Sequence, residues 1–349
     1  MKVLLVTDRF KPEDGGSYVA VSELSYSLFK KGIETKILHN NYNLHFFNKS
    51  SLKEIISKYD IVHIFGIWNI FLQYVLIASK EIGKKVIVSP IGYLEKWSLQ
   101  QSKIKKKIAL FLYQKKNLEK ADCIHVTSAS ELDSLKDLNL KNKNIINLEH
   151  GKIYNFYENL KIEKKSIKTA LFFSRVHKKK GLIELVDAWF ITRPKNWKLE
   201  IRGPVTDLNY KRKISKVIAN YNLQNDIFFK EPVYNEEEKI NVLKRCDLMI
   251  LPSKNENFAF SICESLFAGL PVLCSDQTPW LDLNKLNAGW CVDLNSTEKI
   301  AEILKKITNL NDNDLFQVSN NAKKYSKKFN LETQVIHKYI SMYKNILVN

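Results

Sequence analysis

Two pairs of side chains stand out for what their types and spacing can do. Glu256 and Glu264 have seven residues between them in Asp247–Asp276, DLMILPSKNENFAFSICESLFAGLPVLCSD. Arg175 and Lys180 stand five apart in Phe173-Ser-Arg-Val-His-Lys-Lys-Lys-Gly181. A carboxylate near a helix start accepts from vicinal hydroxyls, and the free N–H groups of that start suit an anion. A guanidinium and an ammonium aimed at a diphosphate stabilise the charge that builds as it departs. A sugar nucleotide carries all these groups. The plain alternatives are a solvated Glu256, a Glu264 that offsets the helix dipole by roughly 0.3–1 kcal/mol, and a solvated basic turn.

The elements around these residues follow a repeated order. Asp247–Asp276 reads as a buried strand at Leu248–Leu251, a polar loop at Pro252–Asn257, a helix from about Phe258, a stop at Gly269, and a strand at Val272–Cys274. Glu256 thus falls at the carboxyl end of a strand, where open α/β sheets place their ligands. Upstream, strands are expected at Lys2–Val6, Thr35–Leu38, Ile61–Phe65, Val86–Ser89, Cys123–Val126 and Ile145–Leu148. A second series holds Thr169–Phe173, Leu199–Arg202 and Ile227–Phe229 before the two already named. Helical patterns such as Tyr18, Val21, Leu24 and Leu28 lie between the strands, which predicts parallel sheets covered by helices. The polar stretch Asn155–Lys168, with Lys161, Lys164, Lys165 and Lys168, separates the two series. The expected division is an α/β domain over 1–160, a second over 161–329, and a terminal helix over 330–349, opened by Asn330 with an early Glu332.

At 349 residues the chain exceeds one ordinary core, and 18 Phe, 15 Tyr and 6 Trp supply apolar volume for two. Met1-Lys2 leads straight into a strand, and the longest near-apolar run, Ile70–Ala78, is too short to span a bilayer. The expectation is a cytoplasmic protein. Cys123, Cys246, Cys263, Cys274 and Cys291 show no metal or redox spacing and read as small buried hydrophobes. The +18 net charge calls for an anionic partner, either nucleic acid or an inner membrane leaflet. Lys103–Lys120, KIKKKIALFLYQKKNLEK, sets seven lysines around Ile104, Ile108, Leu110, Phe111 and Leu112, as a peripheral membrane helix does. An ordinary domain helix is the alternative. The lysines are spread over helices and links and no nucleic-acid module is present, so a nucleic-acid partner is not expected.

Glu256-Asn-Phe-Ala-Phe-Ser-Ile-Cys-Glu-Ser-Leu-Phe-Ala-Gly-Leu-Pro-Val272 resembles the signature segment of retaining glycosyltransferases of the GT-B fold, glycosyltransferase family 4. The resemblance extends over nearly the whole chain. It implies two Rossmann-like doubly wound domains facing a central cleft, with the C-terminal helix crossing back to the first, acceptor-side domain. It places Glu256 at the donor sugar and Glu264 on the ribose hydroxyls, with Asn257, Phe258, Ala259 and Phe260 along the donor. The family's glycine after the Phe is Ala259 here; alanine still permits close backbone approach, though not φ > 0 at little cost, and the change reads as mild. Arg175 and Lys180 fill the two charged places of the family's Arg-to-Lys-Gly motif, whose preceding glycine is Ser174 here.

Gly15-Gly16, by itself an ordinary βα turn, resembles the family's Gly-Gly loop, in which the second glycine faces diphosphate and acceptor. His63 to Trp68 and Pro90-Ile-Gly92 resemble two acceptor-side segments, with Phe65 and Ile91 where the family has histidines. His63 is equally readable as a core histidine. Val233 is expected near the nucleobase, Thr278 within reach of a phosphate, and Trp280 in packing. Thr278-Pro-Trp280 with Gly289-Trp290, read as a loop after the Val272–Cys274 strand, resembles the surface-polysaccharide and lipopolysaccharide branch. Asp312-Asn-Asp314 spells DxD but reads as a turn, so no metal and no cofactor are expected. The implied function is retaining, metal-independent transfer from a UDP- or GDP-sugar to a lipid-linked oligosaccharide at the inner membrane face, in O-antigen, lipopolysaccharide or capsule synthesis. The alternatives are an epimerase-like GT-B enzyme, which would lack the ribose glutamate, and a basic nucleic-acid-binding protein.

Overall fold

The computed structural model describes residues 1–40, 49–101, 103–141, 144–157, 160, 165–293 and 296–348. Lys161 and Lys164 of the polar link lie outside them. The chain divides into two compact units, Met1–Ile153 with Phe329–Asn349, and Tyr154–Lys328.

The first unit is built on β1 (Lys2–Thr7), β2 (Glu34–His39), β3 (Ile61–Phe65), β4 (Lys85–Ser89), β5 (Cys123–Val126) and β6 (Ile145–Asn147). All pair in parallel, in the order β2-β1-β3-β4-β5-β6. Strands β3 and β5 are buried at every residue, because helices cover both faces and each face demands apolar side chains. The segment after Phe329 completes one of those faces. Leu331, Val335, Ile336, Tyr339, Met342, Tyr343 and Ile346 share a core cluster with Val3, Leu5, Val21, Leu24 and Leu28.

The second unit carries β7 (Lys168–Phe173), β8 (Trp197–Arg202), β9 (Ile227–Lys230), β10 (Leu248–Leu251), β11 (Val272–Ser275) and β12 (Gly289–Val292). Its order is β12-β11-β10-β7-β8-β9, again parallel. The chain winds outward from β7 through β8 to β9, then starts afresh at β10 on the other side of β7. The switch point of this sheet therefore lies between β7 and β10, where ligands gather outside the strands' carboxyl ends. Arg175 and Lys180 follow β7, and Glu256 follows β10. In the first sheet the switch lies between β1 and β3, ahead of Gly15 and Trp68 respectively.

Three expectations change. Gly289-Trp290 lies not in a loop but on β12, an edge strand paired to β11. That pairing sets Cys274 directly opposite Cys291, although nothing in their spacing along the chain brings them together. Asp312 and Asp314 are not a turn: they occupy the first turn of helix Asp312–Ser326, where Asn311 accepts from Asp314 N–H at 2.9 Å. Their charges offset the helix dipole, and among the described residues no group of His, Cys, Asp and Glu could hold a metal ion. Lys103–Lys120 is not one regular helix. A π-helical turn at Leu110–Gln114 separates helix Lys103–Ala109 from helix Lys115–Lys120. The turn lets Leu110 and Leu118 pack on the core while Ile104 (76% exposed), Ile108 (53%), Phe111 (84%) and Leu112 (61%) face outward. No helix among the described residues is long and apolar enough to cross a membrane.

Candidate functional site

Three loops meet at the carboxyl edge of the second sheet. After β7 the chain passes the exposed Arg175, then makes a 3₁₀ turn at Lys178–Lys180, closed by Gly181. His177 opens the turn by accepting from Lys179 N–H at 3.1 Å. The loop after β10 is stitched to it, Lys254 N–H donating to the Lys179 carbonyl at 2.8 Å. Glu256 N–H donates in turn to the Gln277 carbonyl, 3.0 Å away in the loop after β11.

This framework brings Lys180 and Glu256 into contact, and the Lys180 ammonium donates to Glu256 Oε1. Each residue is only 8% exposed. Burial pushes the Glu256 carboxyl up, but the charges of Lys180 and Lys179 and donors from Lys180 and Ser253 outweigh it, leaving the group below its usual value. Glu256 is therefore an anion held by a cation. Arg175 stands on the same post-β7 loop with no ion-pair partner among the described residues. The buried Oδ1 of Asn255, next to Glu256, accepts no hydrogen bond there either.

Helix Phe260–Phe267 starts beside the pair. Its cap is Ala259, at φ +62° and ψ +73°, with no side chain to satisfy the first amides. Alanine thus takes up the left-handed conformation that makes the change from glycine costly rather than mild, at roughly 1–2 kcal/mol. Ala259→Gly is expected to raise stability by about 1 kcal/mol, read as the urea midpoint; an unchanged or lower midpoint would show that the cap carries no strain. Phe258 and Phe260 are buried, their rings 4.9 Å apart, and Asn257 is half-buried. Trp280, expected only to pack, also holds this turn. Its indole N–H donates to the Phe258 carbonyl at 2.6 Å while its ring lies 5.4 Å from that of Phe258. Nothing in the sequence paired these two.

Glu264 is 3% exposed, and the Lys239 ammonium lies 3.0 Å from its Oε1. Sequence reasoning missed Lys239, which comes from helix Glu236–Lys244. Two other expected donor contacts stand apart. Thr278 turns inward and donates to the Ser275 carbonyl at 2.8 Å, which takes its hydroxyl away from a phosphate and uses it to build the loop. Val233 lines a cavity of about 440 Å³ with Arg202, Glu231, Glu238 and Arg245; neither Glu256 nor Glu264 belongs to its lining.

In the first unit Gly15 takes φ +68° as the cap of helix Gly16–Lys30, a conformation suited to glycine. Trp68 is half-buried against the core, with the Lys106 ammonium 5.8 Å from its ring centroid. Gly92 donates its N–H to Glu131, a wholly buried carboxyl pushed up to about 7 by burial. Ile91 sits at φ +48°, an outlier for a β-branched side chain.

His63 is not at an acceptor surface. It is fully buried, with Nδ1 2.8 Å from the Tyr343 hydroxyl and Nε2 2.7 Å from Ser89 Oγ. Ser89 bonds on to His125 Nδ1 at 2.6 Å, and His125 Nε2 donates to the Leu148 carbonyl at 2.8 Å. Burial lowers all three nearby histidines, His63 well below its usual value, His125 to about 4 and His150 to about 3. They stay neutral when folded, whereas in the unfolded chain each takes up a proton near 6.5. The unfolded state then binds more protons, so stability falls as pH drops from about 6.5 towards 4. The expected loss is about 2 kcal/mol for each of the three histidines in urea titrations at pH 7 and pH 4.5, and smaller in total in His125→Gln; equal losses in both proteins would exclude the cluster as the cause.

Comparison with known proteins bears chiefly on the second unit. Residues 156–329 match the family described as glycosyl transferases group 1. The match spans nearly all of the second unit, Tyr154–Lys328. A curated relative, GDP-mannose:cellobiosyl-diphosphopolyprenol alpha-mannosyltransferase of Xanthomonas oryzae pv. oryzae (strain PXO99A), is 27% identical over 184 residues, 52% of this chain and 47% of its own. The chain thus spans about half the length of that relative. Anabaena HepE, solved in complex with UDP and glucose, superposes with a TM-score of 0.79 at 16% identity, covering 99% of both chains. A glycosyltransferase from Rickettsia africae gives a TM-score of 0.74 at 19% identity, over 100% of this chain and 99% of its own. These likenesses, with the two parallel six-stranded sheets, show the GT-B fold. All three loops of the site lie within the matched residues.

Proposed function

We propose that this chain is a retaining, metal-independent glycosyltransferase of family 4. It takes a sugar from a nucleoside-diphosphate donor, UDP- or GDP-linked, and passes it to a lipid-linked saccharide in surface-polysaccharide, lipopolysaccharide or O-antigen synthesis. The observation that carries the reading is the buried Lys180–Glu256 pair at the β7/β10 switch point, beside the exposed Arg175 and the uncapped start of helix Phe260–Phe267. Arg175 and Lys180 take the diphosphate at the positive end of that helix and stabilise its departure. Glu256 orients the sugar, and Asn255, its neighbour in the chain, carries a buried acceptor oxygen with no hydrogen-bond partner among the described residues. Glu264 holds the ribose. The first unit, with Gly15, Gly16, Trp68 and Gly92, takes the acceptor.

The group 1 match supports the activity, and the diphosphopolyprenol named for the Xanthomonas relative supports a lipid-linked acceptor. The UDP bound to HepE and the GDP-mannose named for that relative support the two donor bases. The test is calorimetric titration with UDP and GDP, followed by turnover of the matching sugar nucleotide with EDTA present. A product keeping the donor's anomeric configuration is expected; inversion, or dependence on a divalent ion, would refute the retaining, metal-free form. No binding of either nucleotide would refute the whole reading.

The enzyme works at the cytoplasmic membrane face in this reading. Ile104 and Ile108 on helix Lys103–Ala109 and Phe111 and Leu112 on the π-helical turn face outward among Lys103, Lys105, Lys106, Lys107, Lys115 and Lys116. Near an anionic surface each lysine contributes about 1 kcal/mol. Replacing Lys105, Lys106 and Lys107 by Glu should therefore lower partitioning onto phosphatidylglycerol vesicles at least tenfold in co-sedimentation. Undiminished binding would leave these lysines merely solvated.

A further inference from the structure

We infer that Cys274 and Cys291 are a modification site, a dithiol that a hydroperoxide closes to an intrachain disulfide and a dithiol reductant reopens. The inference stands apart from the proposed transfer activity and does not draw on it. Cys274 is buried on β11, Cys291 is half-buried on β12, and the parallel register sets them directly opposite each other. In-register partners of a parallel pair point to the same face of the sheet, so the two thiols meet. Neighbouring strands run about 4.7–4.9 Å apart, inside the roughly 4.4–6.8 Å between Cα atoms that a disulfide takes. Its Cβ atoms stand about 3.5–4.5 Å apart, so β12 must close up slightly on β11. As the last strand of the sheet, β12 has a strand neighbour on one side only and can follow. Asn284 holds the register, accepting from Cys291 N–H at 3.0 Å and donating to the Cys291 carbonyl at 2.9 Å.

The two sulfurs are unequal, which divides the work between them. The Cys274 thiol donates to the Cys291 sulfur, and this bond holds Cys291 below its usual value against the opposing effects of burial and Asp276. Burial, with the same bond, pushes the Cys274 thiol well above its usual value. The Thr278 hydroxyl also lies 3.4 Å from the Cys274 sulfur. Cys291 is thus the more exposed residue and the readier thiolate, the combination that oxidants select. Its thiolate attacks one oxygen of the hydroperoxide and breaks the O–O bond. The sulfur becomes a sulfenic acid, and the other oxygen leaves as hydroxide or alkoxide. Cys274 then displaces the sulfenyl oxygen to form the S–S bond, and its proton departs with that oxygen as water. Two electrons have passed from the thiol pair to the peroxide. Burial pushes Cys123 and Cys246 up to about 12, which withdraws them from this chemistry, and Cys263 is buried within helix Phe260–Phe267.

The experiment exposes the full chain, reduced and then freed of reductant, to about ten equivalents of hydrogen peroxide. Iodoacetamide in denaturant then blocks the remaining thiols, and mass spectrometry counts and maps them. Alkylated thiols should fall from five to three, with a peptide joining Cys274 to Cys291 within one chain. Dithiothreitol should restore all five. Cys274→Ser should give no bridge and should leave Cys291 as a sulfenic acid that dimedone traps. Cys291→Ser should give no bridge and keep Cys274 reduced. The wild-type map decides by itself where either variant fails to fold. Five thiols persisting in the wild type would overturn the inference. So would a bridge to Cys123, Cys246 or Cys263, a bridge between chains, or an oxidised Cys291 beside a Cys274 that is still alkylated.

Discussion

Lys180→Ala is expected to lower the rate of sugar transfer about tenfold to a hundredfold and to destabilise the fold at the same time. The first effect is the loss of a charge-assisted bond to the departing diphosphate, about 1.5–3 kcal/mol. The second follows from burial. Glu256 at 8% exposure would lose its cation, and breaking a buried pair from one side costs about 3–5 kcal/mol. The two effects separate in a double variant. Lys180→Ala with Glu256→Gln removes the orphaned charge, so stability should recover while the rate stays low. Turnover at saturating donor and chemical denaturation measure them. A single variant with wild-type rate removes Lys180 from the chemistry; one with wild-type stability shows that Glu256 finds water or another donor.

Gly181→Ala should be nearly as damaging, though it alters no chemical group. Gly181 has φ +68°, and a Cβ placed there would stand 2.0 Å from the Pro252 carbonyl oxygen. The obstacle is backbone, so no rotamer relieves it. Left-handed strain and overpacking together amount to about 3 kcal/mol. The chain can yield only by separating the post-β7 loop from the post-β10 loop, which parts Lys180 from Glu256. The expected result is a thermal midpoint several degrees lower, together with weaker binding of the nucleoside diphosphate. Unchanged affinity in a destabilised variant would mean that the two loops need not touch for the donor to bind.

Much of this arrangement was legible because it is local. Strands such as Ile61–Phe65 and Leu248–Leu251 are short apolar runs bounded by polar turns, and their ends place Arg175, Lys180 and Glu256 at sheet edges. What escaped was set by contacts between distant segments. Gly289-Trp290 reads as a loop because an edge strand shows little periodicity. The role of Trp280 depends on a carbonyl 22 residues away, and Lys239 meets Glu264 across two helices. His63 looks the same from its neighbours whether it faces a ligand or a core; only Ser89 and Tyr343 decide it. Ala259 differs in kind, since its residue type argues against the backbone angle that it adopts.

The second unit is inserted within the first, whose chain breaks off at Ile153 and resumes at Phe329. On the ribosome, Tyr154–Lys328 is available to fold as soon as it emerges, whereas the earlier-made unit must wait. Until Leu331 to Ile346 arrive, the apolar patch around Val3, Leu5 and Leu28 lacks a large part of its cover. The half made first is thus the half finished last, and during synthesis it is the nascent segment most in need of a chaperone.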